Sequence, residues 1–244
     1  DVSAPYSINL VQGLVNAGVQ LDSTVLAAYE SWCTASVNDP DPGFWGHWPR
    51  YYAEMPVKQD WVQAAAKRCQ TAVVVIGRSA GEDRENTLKK GSFYLTNKEK
   101  ALLDAVTTAF QKVVLVLNIG SIMDFAEIDA YGDKISAILL AWQLGMESGN
   151  AVADVLTGQV NPSGRLTDTI AKTYADYPAQ NFGNKAENRY TEDIFVGYRY
   201  FETFAPERVL YPFGYGLSYT DFACQVKKTE IKDQTVTVQV QVEN

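Results

Sequence analysis

Residues 72–76 (AVVVI), 113–117 (VVLVL) and 135–142 (ISAILLAW) are continuous apolar runs rich in branched side chains. Runs of that length suit strands buried on both faces of a parallel sheet. Around them the period becomes helical. Ile8, Leu10, Val11, Leu14 and Val15 share one stripe of a helix expected over 7–17, which Gly18 is placed to end. A second helix is expected over 22–35 with Asp22 or Ser23 as N-cap, and a third over 58–69. Others follow at 97–111, as a short turn near 121–130, and at 148–157. Strand–helix–strand alternation predicts an α/β fold: an open, mostly parallel sheet sandwiched by helices, with right-handed crossovers.

The pattern breaks in two places. Residues 38–57 hold four prolines, two glycines, two tryptophans and two tyrosines, and are expected to form a loop with structure of its own. Residues 174–222 are rich in Tyr, Phe, Gly and Asn without a clear period, and are expected to wrap around the α/β domain, with Tyr198, Tyr200, Tyr211 and Tyr219 pinning them. From 223 to 242 the chain alternates, as in Thr235-Val-Thr-Val-Gln-Val-Gln-Val. That is period two, which predicts antiparallel strands of a different architecture. Two strands do not make a stable sheet, so this end reads as the opening of a β-sandwich.

Composition removes several functions. The 244 residues carry 21 Lys+Arg against 29 Asp+Glu, a formal charge of −8. The basic footprint of a nucleic-acid partner is missing. No apolar run is long enough for a helix that spans a bilayer, so no membrane partner is expected. The single histidine, His47, rules out a zinc site built on several histidines. Cys33, Cys69 and Cys224 form no CxxC pair and are expected to be buried free thiols, with one disulfide as the lesser alternative. Neither a G-x-x-x-x-G-K-[ST] nor a G-x-G-x-x-G phosphate cradle occurs, which disfavours a dinucleotide site, and neither a metal nor an organic cofactor is expected. The 12% aromatic content suits a protein that handles sugars, and a large core would explain it equally well.

Open α/β sheets place their ligands at the carboxyl ends of the strands. The most polar of these ends is Gly77-Arg-Ser-Ala-Gly-Glu-Asp-Arg-Glu-Asn86. Gly77-Arg-Ser79-Ala-Gly81 matches the G-x-S-x-G nucleophile elbow. However, the charged stretch after it does not open a helix, and the only histidine precedes the serine, where a hydrolase triad needs it after. The same segment offers Glu82, Asp83 and Glu85 beside Arg78 and Arg84. Carboxylates on a strand-end loop can perform general acid–base work without a metal, and glycoside hydrolysis needs two of them. Pattern alone favours a solvated charge run over a catalytic one.

The series IGRSAGEDREN, GSFYL (91–95), VLNIGS (116–121), AILLAWQLGMESGNAVADVLTGQVNPSGRL (137–166), DIFVGYRYF (193–201) and YPFGYGLSYTDF (211–222) resembles the C-terminal catalytic domain of family 3 glycoside hydrolases, the β-glucosidase-like enzymes. The resemblance covers nearly the whole chain. It implies an (α/β)6-sandwich type of domain, a fibronectin III-like domain after it, and a separate (β/α)8 barrel domain carrying an Asp nucleophile. The implied organisation is a sandwich domain at 1–172, a wrapping segment belonging to it at 173–222, and the beginning of the fibronectin-like domain at 223–244. The chain would then be a piece of a longer polypeptide.

The implied activity is that of a retaining, exo-acting β-glycosidase, above all a β-glucosidase, acting on β-linked oligosaccharides or glycosides. β-Xylosidase, β-N-acetylglucosaminidase and a non-catalytic binding module remain as alternatives. The implied acid/base is Glu82, which follows Gly81 and precedes the GSFYL block, with Asp83 and Arg84 orienting or tuning it. Asp83 and Glu85 are lesser candidates for the same role. Trp45 and Trp48 either stack on a sugar ring at the entrance or close over the flank of the domain with Tyr51 and Tyr52.

Overall fold

The computed structural model describes residues 4–35, 49–80, 86–179 and 186–244. The fold is α/β, as the alternation predicts. Strands β1 (Thr71–Arg78), β2 (Lys112–Ile119) and β3 (Ala137–Leu140) form a parallel sheet in the order β1-β2-β3, with Val74 opposite Leu115 and Leu115 opposite Ile138. Helix α1 spans Leu10–Asn16, α2 Ser23–Thr34, α3 Gln59–Ala66, α4 Asn97–Ala109, α5 Ala126–Asp129 and α6 Ser148–Thr157. Both crossovers between neighbouring strands run through helices, which parallel pairing requires.

Local chemistry sets where the helices start. Asn9 accepts the Gln12 N–H at 2.9 Å while the Gln12 side chain accepts the Asn9 N–H at 3.2 Å. This capping box starts α1 at Leu10, three residues later than the apolar stripe suggests. Asp22 caps α2 by accepting from the Thr24 and Val25 N–H groups. Thr96 and Glu99 form a second capping box at the start of α4. Gly158, at φ 77°, ends α6 in the left-handed conformation that glycine adopts freely.

The core lies on one face of the sheet. Val74, Ile76, Leu115 and Leu117 pack against Leu102 and Leu103 of α4. Burying a leucine of this kind stabilises the fold by roughly 1.5–3 kcal/mol. On the other face, β1 departs from the expectation of two buried sides: Val73 and Val75 remain 39% and 42% exposed. The central strand β2 does bury both sides, with Leu115 at 0% and Val116 at 2% exposure. The third run was expected to reach Trp142, but β3 ends at Leu140 because Trp142 turns to φ 58°.

Helices α1 and α6 meet through glycines. A Cβ on Gly149 would lie 1.9 Å from the Asn9 carbonyl oxygen, and one on Gly13 would lie 2.0 Å from the Gly149 carbonyl oxygen. That closeness lets the Gly149 N–H donate to Ile8 O at 2.9 Å and the Ile8 N–H donate to Met146 O at 2.8 Å. Gly149→Ala is expected to lower stability by about 1 to 3 kcal/mol through overpacking against backbone that cannot yield. A urea denaturation midpoint unchanged from the parent would contradict it.

The aromatic segment is more regular than its sequence suggests. It contains helix α7 (Tyr198–Phe204), and β5 (Val209–Tyr211) pairs antiparallel with β4 (Ile170–Ala171). Helix α7 shows no period because only Phe201 is buried, at 1% exposure, among flanking aromatics. Tyr211 meets Phe125 edge-on at 5.9 Å, and Tyr200 packs beside Phe201. Tyr211 does pin the segment, whereas Tyr200 meets Phe201 and Phe204 of its own helix, Tyr219 is 71% exposed and Tyr198 pairs with the exposed Phe213.

Strands β6 (Ala223–Lys232) and β7 (Thr235–Glu243) form an antiparallel hairpin. Every residue of the pair is exposed. All three cysteines are free, as expected, but none is buried: Cys33 and Cys224 are exposed and Cys69 is half-buried. Cys33 lies on α2, which buries none of its residues, and Cys224 lies on the exposed hairpin.

Candidate active site

Glu82, Asp83, Arg84 and Glu85 lie outside the described residues, and so do Trp45, His47 and Trp48. The described structure holds what carries these two segments. The Ser79 N–H donates to Arg50 O at 2.7 Å, and the Ser79 hydroxyl donates to Pro49 O. Residues of the aromatic loop are thus fastened to the residue that leads toward the acidic segment. These bonds also commit the Ser79 hydroxyl to a backbone carbonyl, in keeping with the rejection of a nucleophile elbow.

The other strand ends close on the same point. The Gln143 side chain, just beyond β3, donates to Ala80 O at 3.4 Å. Gly120, just beyond β2, lies so near that a Cβ there would come within 2.4 Å of the Ala80 Cβ and 2.7 Å of Gln143 Cδ. Gln143 follows Trp142, whose left-handed backbone costs on the order of 1–3 kcal/mol. Strain of that kind is retained where surrounding structure enforces it.

Arg78, the last residue of β1, has a side chain only 3% exposed, and its partner Glu99 on α4 is 5% exposed. The pairing is bidentate: Nη1 donates to Oε1 at 2.6 Å and Nη2 to Oε2 at 2.8 Å. Such fork-to-fork pairs fix orientation as well as charge. The remaining donors are also engaged, Nε to Ser92 O at 3.2 Å and Nη1 to Gly77 O at 2.8 Å. Glu99 Oε2 additionally accepts the Thr96 N–H at 2.7 Å. Beyond the acidic segment, the Thr87 N–H donates to Ser92 Oγ at 2.9 Å, and Ser92 Oγ donates to Asn86 Oδ1 at 3.3 Å.

A cleft of about 390 Å³ opens beside Arg78 and Ser79. Among the described residues Tyr29, Trp32, Tyr51 and Tyr52 supply its aromatic walls, and Asn118, Gln143 and Arg50 are polar groups on its lining. The Arg78 guanidinium lies over the Tyr51 ring at 5.6 Å. Gly91, at φ 80°, admits that ring: a Cβ there would fall 2.0 Å from Tyr51 Cε1. Flat aromatic faces beside planar polar donors suit a hydroxylated ring with an apolar C–H face.

Glu54 lines the same cleft and accepts from the Tyr29 hydroxyl at 2.8 Å and the Met55 N–H at 2.9 Å. Burial pushes its carboxyl above the ordinary carboxylate range, against the pull of the Tyr29 hydrogen bond. Burial, with the Glu54 charge next, likewise raises the Tyr29 phenol. A carboxyl whose pKa is higher folded than unfolded binds its proton more tightly in the folded state. Stability should therefore fall as pH rises from the ordinary carboxylate range through the raised value. Glu54→Gln is expected to flatten that slope, as read by urea midpoints over a pH series. An equally steep slope in the variant would remove Glu54 as its source.

Of the groups around this site, sequence reasoning noticed Arg78 only as a neighbour of the acidic run. It did not single out Glu99 or Tyr29. The Thr96-x-x-Glu99 spacing does signal a helix start, but nothing local signals that its carboxylate reaches Arg78.

Residues 1–219 match the glycosyl hydrolase family 3 C-terminal domain. A β-glucosidase of Ruminococcus albus is 44% identical over 93% of this chain and 24% of its own length. A crystal structure of a β-glucosidase from Paenibacillus barengoltzii is similar over 99% of the chain and 27% of its own, with a TM-score of 0.89 at 41% identity. β-Glucosidase 3B of Thermotoga neapolitana, in complex with glycerol, has a TM-score of 0.84 at 34% identity, covering 100% of this chain and 35% of its own. The chain therefore spans between about a quarter and a third of these three proteins.

Proposed function

The chain belongs to the glycosyl hydrolase family 3 C-terminal domain family, and on that premise we propose that it supplies the acid/base half of a retaining, exo-acting β-glycosidase, with β-glucosides as substrates. In this reading Glu82 is the acid/base. The nucleophilic Asp belongs to a (β/α)8 barrel domain that shares the active site. Residues 1–172 are the sandwich domain, 173–222 wrap it, and 223–244 open a fibronectin III-like domain.

The chemistry runs in two steps. The barrel carboxylate attacks the anomeric carbon while the Glu82 carboxyl gives its proton to the departing glycosidic oxygen. The Glu82 carboxylate then takes a proton from the water that releases the sugar from the nucleophile. Retention requires the two carboxyl groups about 5–5.5 Å apart in the assembled site. Asp83 and Arg84 orient or tune Glu82, and Trp45 and Trp48 offer a stacking face for a sugar ring at the entrance.

The observation that carries this reading is the anchoring of the acidic segment. The described residues on either side of it are tied down, Ser79 to Arg50 and Pro49 and Thr87 to Ser92, at the carboxyl end of a parallel sheet and beside a cleft walled by Tyr29, Trp32, Tyr51 and Tyr52. The fastening of Pro49 and Arg50 to Ser79 supports a place for the aromatic loop near the same substrate. The test is Glu82→Ala in the enzyme that joins this chain to its barrel, assayed on aryl β-glycosides with leaving groups of graded acidity. A variant as active as the parent on every one of them would overturn the assignment.

A further inference from the structure

We propose that Arg78, held by Glu99, is a positioning residue for the acid/base carboxylate: its backbone leads into the segment that carries it, and its buried guanidinium holds, through Ser92, the residues that leave that segment. The inference rests on the assignment of Glu82 above. Arg78 directly precedes Ser79 and Ala80, the residues that enter the segment. Its Nε holds Ser92 O at 3.2 Å, and the hydroxyl of Ser92 meets Asn86 and Thr87, the residues that leave the segment. The bidentate bonds to Glu99 stop the guanidinium from rotating, and Glu99 is itself set by the start of α4 through the Thr96 N–H. A chain of contacts thus runs from a helix, through one planar cation and Ser92, to Asn86 and Thr87, while the backbone of Arg78 leads directly into Ser79 and Ala80.

Lysine cannot reproduce this arrangement. It carries a point charge on a flexible stem, whereas arginine presents a rigid fork of donors. Arg78→Lys keeps the charge opposite Glu99 and gives up the simultaneous hold on Ser92 O. The expected defect is a misplaced proton donor rather than a lost fold. Proton donation matters most when the leaving group is poor, so the defect depends on the substrate.

The experiment compares kcat/KM for an alkyl β-glucoside and for 2,4-dinitrophenyl β-glucoside in the barrel-joined enzyme. Arg78→Lys is expected to lose about tenfold or more on the first and less than about threefold on the second, because general acid catalysis supplies the difference. A second variant, Arg78→Met with Glu99→Gln, removes both charges and leaves an acceptor for the Thr96 N–H. It should show the same selective loss with a denaturation midpoint near that of the parent. Equal losses on both substrates, or no loss in either variant, would overturn the proposal. Glu82→Ala runs alongside. If it shows no dependence on leaving group, the acid/base assignment falls and this inference falls with it. If it discriminates and the Arg78 variants do not, the positioning role alone falls.

Discussion

Glu82→Ala is expected to lower kcat/KM on glucosides with poor leaving groups by about 10²- to 10⁴-fold, the span usual for a lost general acid. The same variant should lose far less kcat/KM on 2,4-dinitrophenyl β-glucoside, whose leaving group departs without a proton. Its kcat on that substrate should still fall, since the second step then lacks a base to activate water. Added azide needs no base, so it should raise kcat and yield a β-glucosyl azide with retained configuration. This product is the most specific readout, because a variant damaged only in folding gains nothing from azide. If turnover on the activated substrate is unmoved by azide, Glu82 is not the acid/base and a neighbouring carboxylate must be tested in its place.

The second large effect concerns stability. Glu99→Ala is expected to destabilise the fold by about 3–5 kcal/mol, the cost of leaving a buried cation without its partner. Arg78 has a side-chain exposure of 3%, so water reaches its guanidinium poorly once the carboxylate is gone. The same substitution removes the acceptor for the Thr96 N–H at the start of α4. Folded domains are stable by only about 5–15 kcal/mol in all, so such a loss should be plain in a urea transition. The paired replacement Arg78→Met with Glu99→Gln should recover most of it, since exchanging a whole buried pair for neutral groups is often near neutral. A loss below about 1 kcal/mol in Glu99→Ala would show that the pair is not buried in solution.

Much of the fold was legible because the determinants are local. The branched runs at 72–76 and 113–117 mark β1 and β2, and Asp22 marks the start of α2 within one residue. What stayed hidden depends on residues distant in sequence. The exposed side of β1 could not be told from a buried one, because Val73 and Val75 read like Val74. The end of β3 depends on the left-handed turn at Trp142, which no propensity favours. Helix α7 buries one aromatic in seven residues, so its period is lost among its neighbours. At the site, the carboxylates were visible as residue types, and the resemblance gave Glu82 its proposed role. The Arg78–Glu99 pair joins positions 21 residues apart and has no sequence pattern of its own.

The glycine crossing of α1 and α6 also sets an order of events as the chain folds. Tyr6 and Glu147, joined by a hydrogen bond at 2.7 Å, lie 141 residues apart. During synthesis the α1 segment leaves the ribosome long before α6 exists to receive it. Seven helical residues are far below the length that persists alone in water, even with a capping box. Closing so long a loop is entropically costly, and contacts of this kind slow folding. The α/β core between them, made of α4 and the parallel strands, uses shorter separations and can form first. Helix α1 therefore docks only once α6 has formed, and until then its apolar stripe waits for that partner.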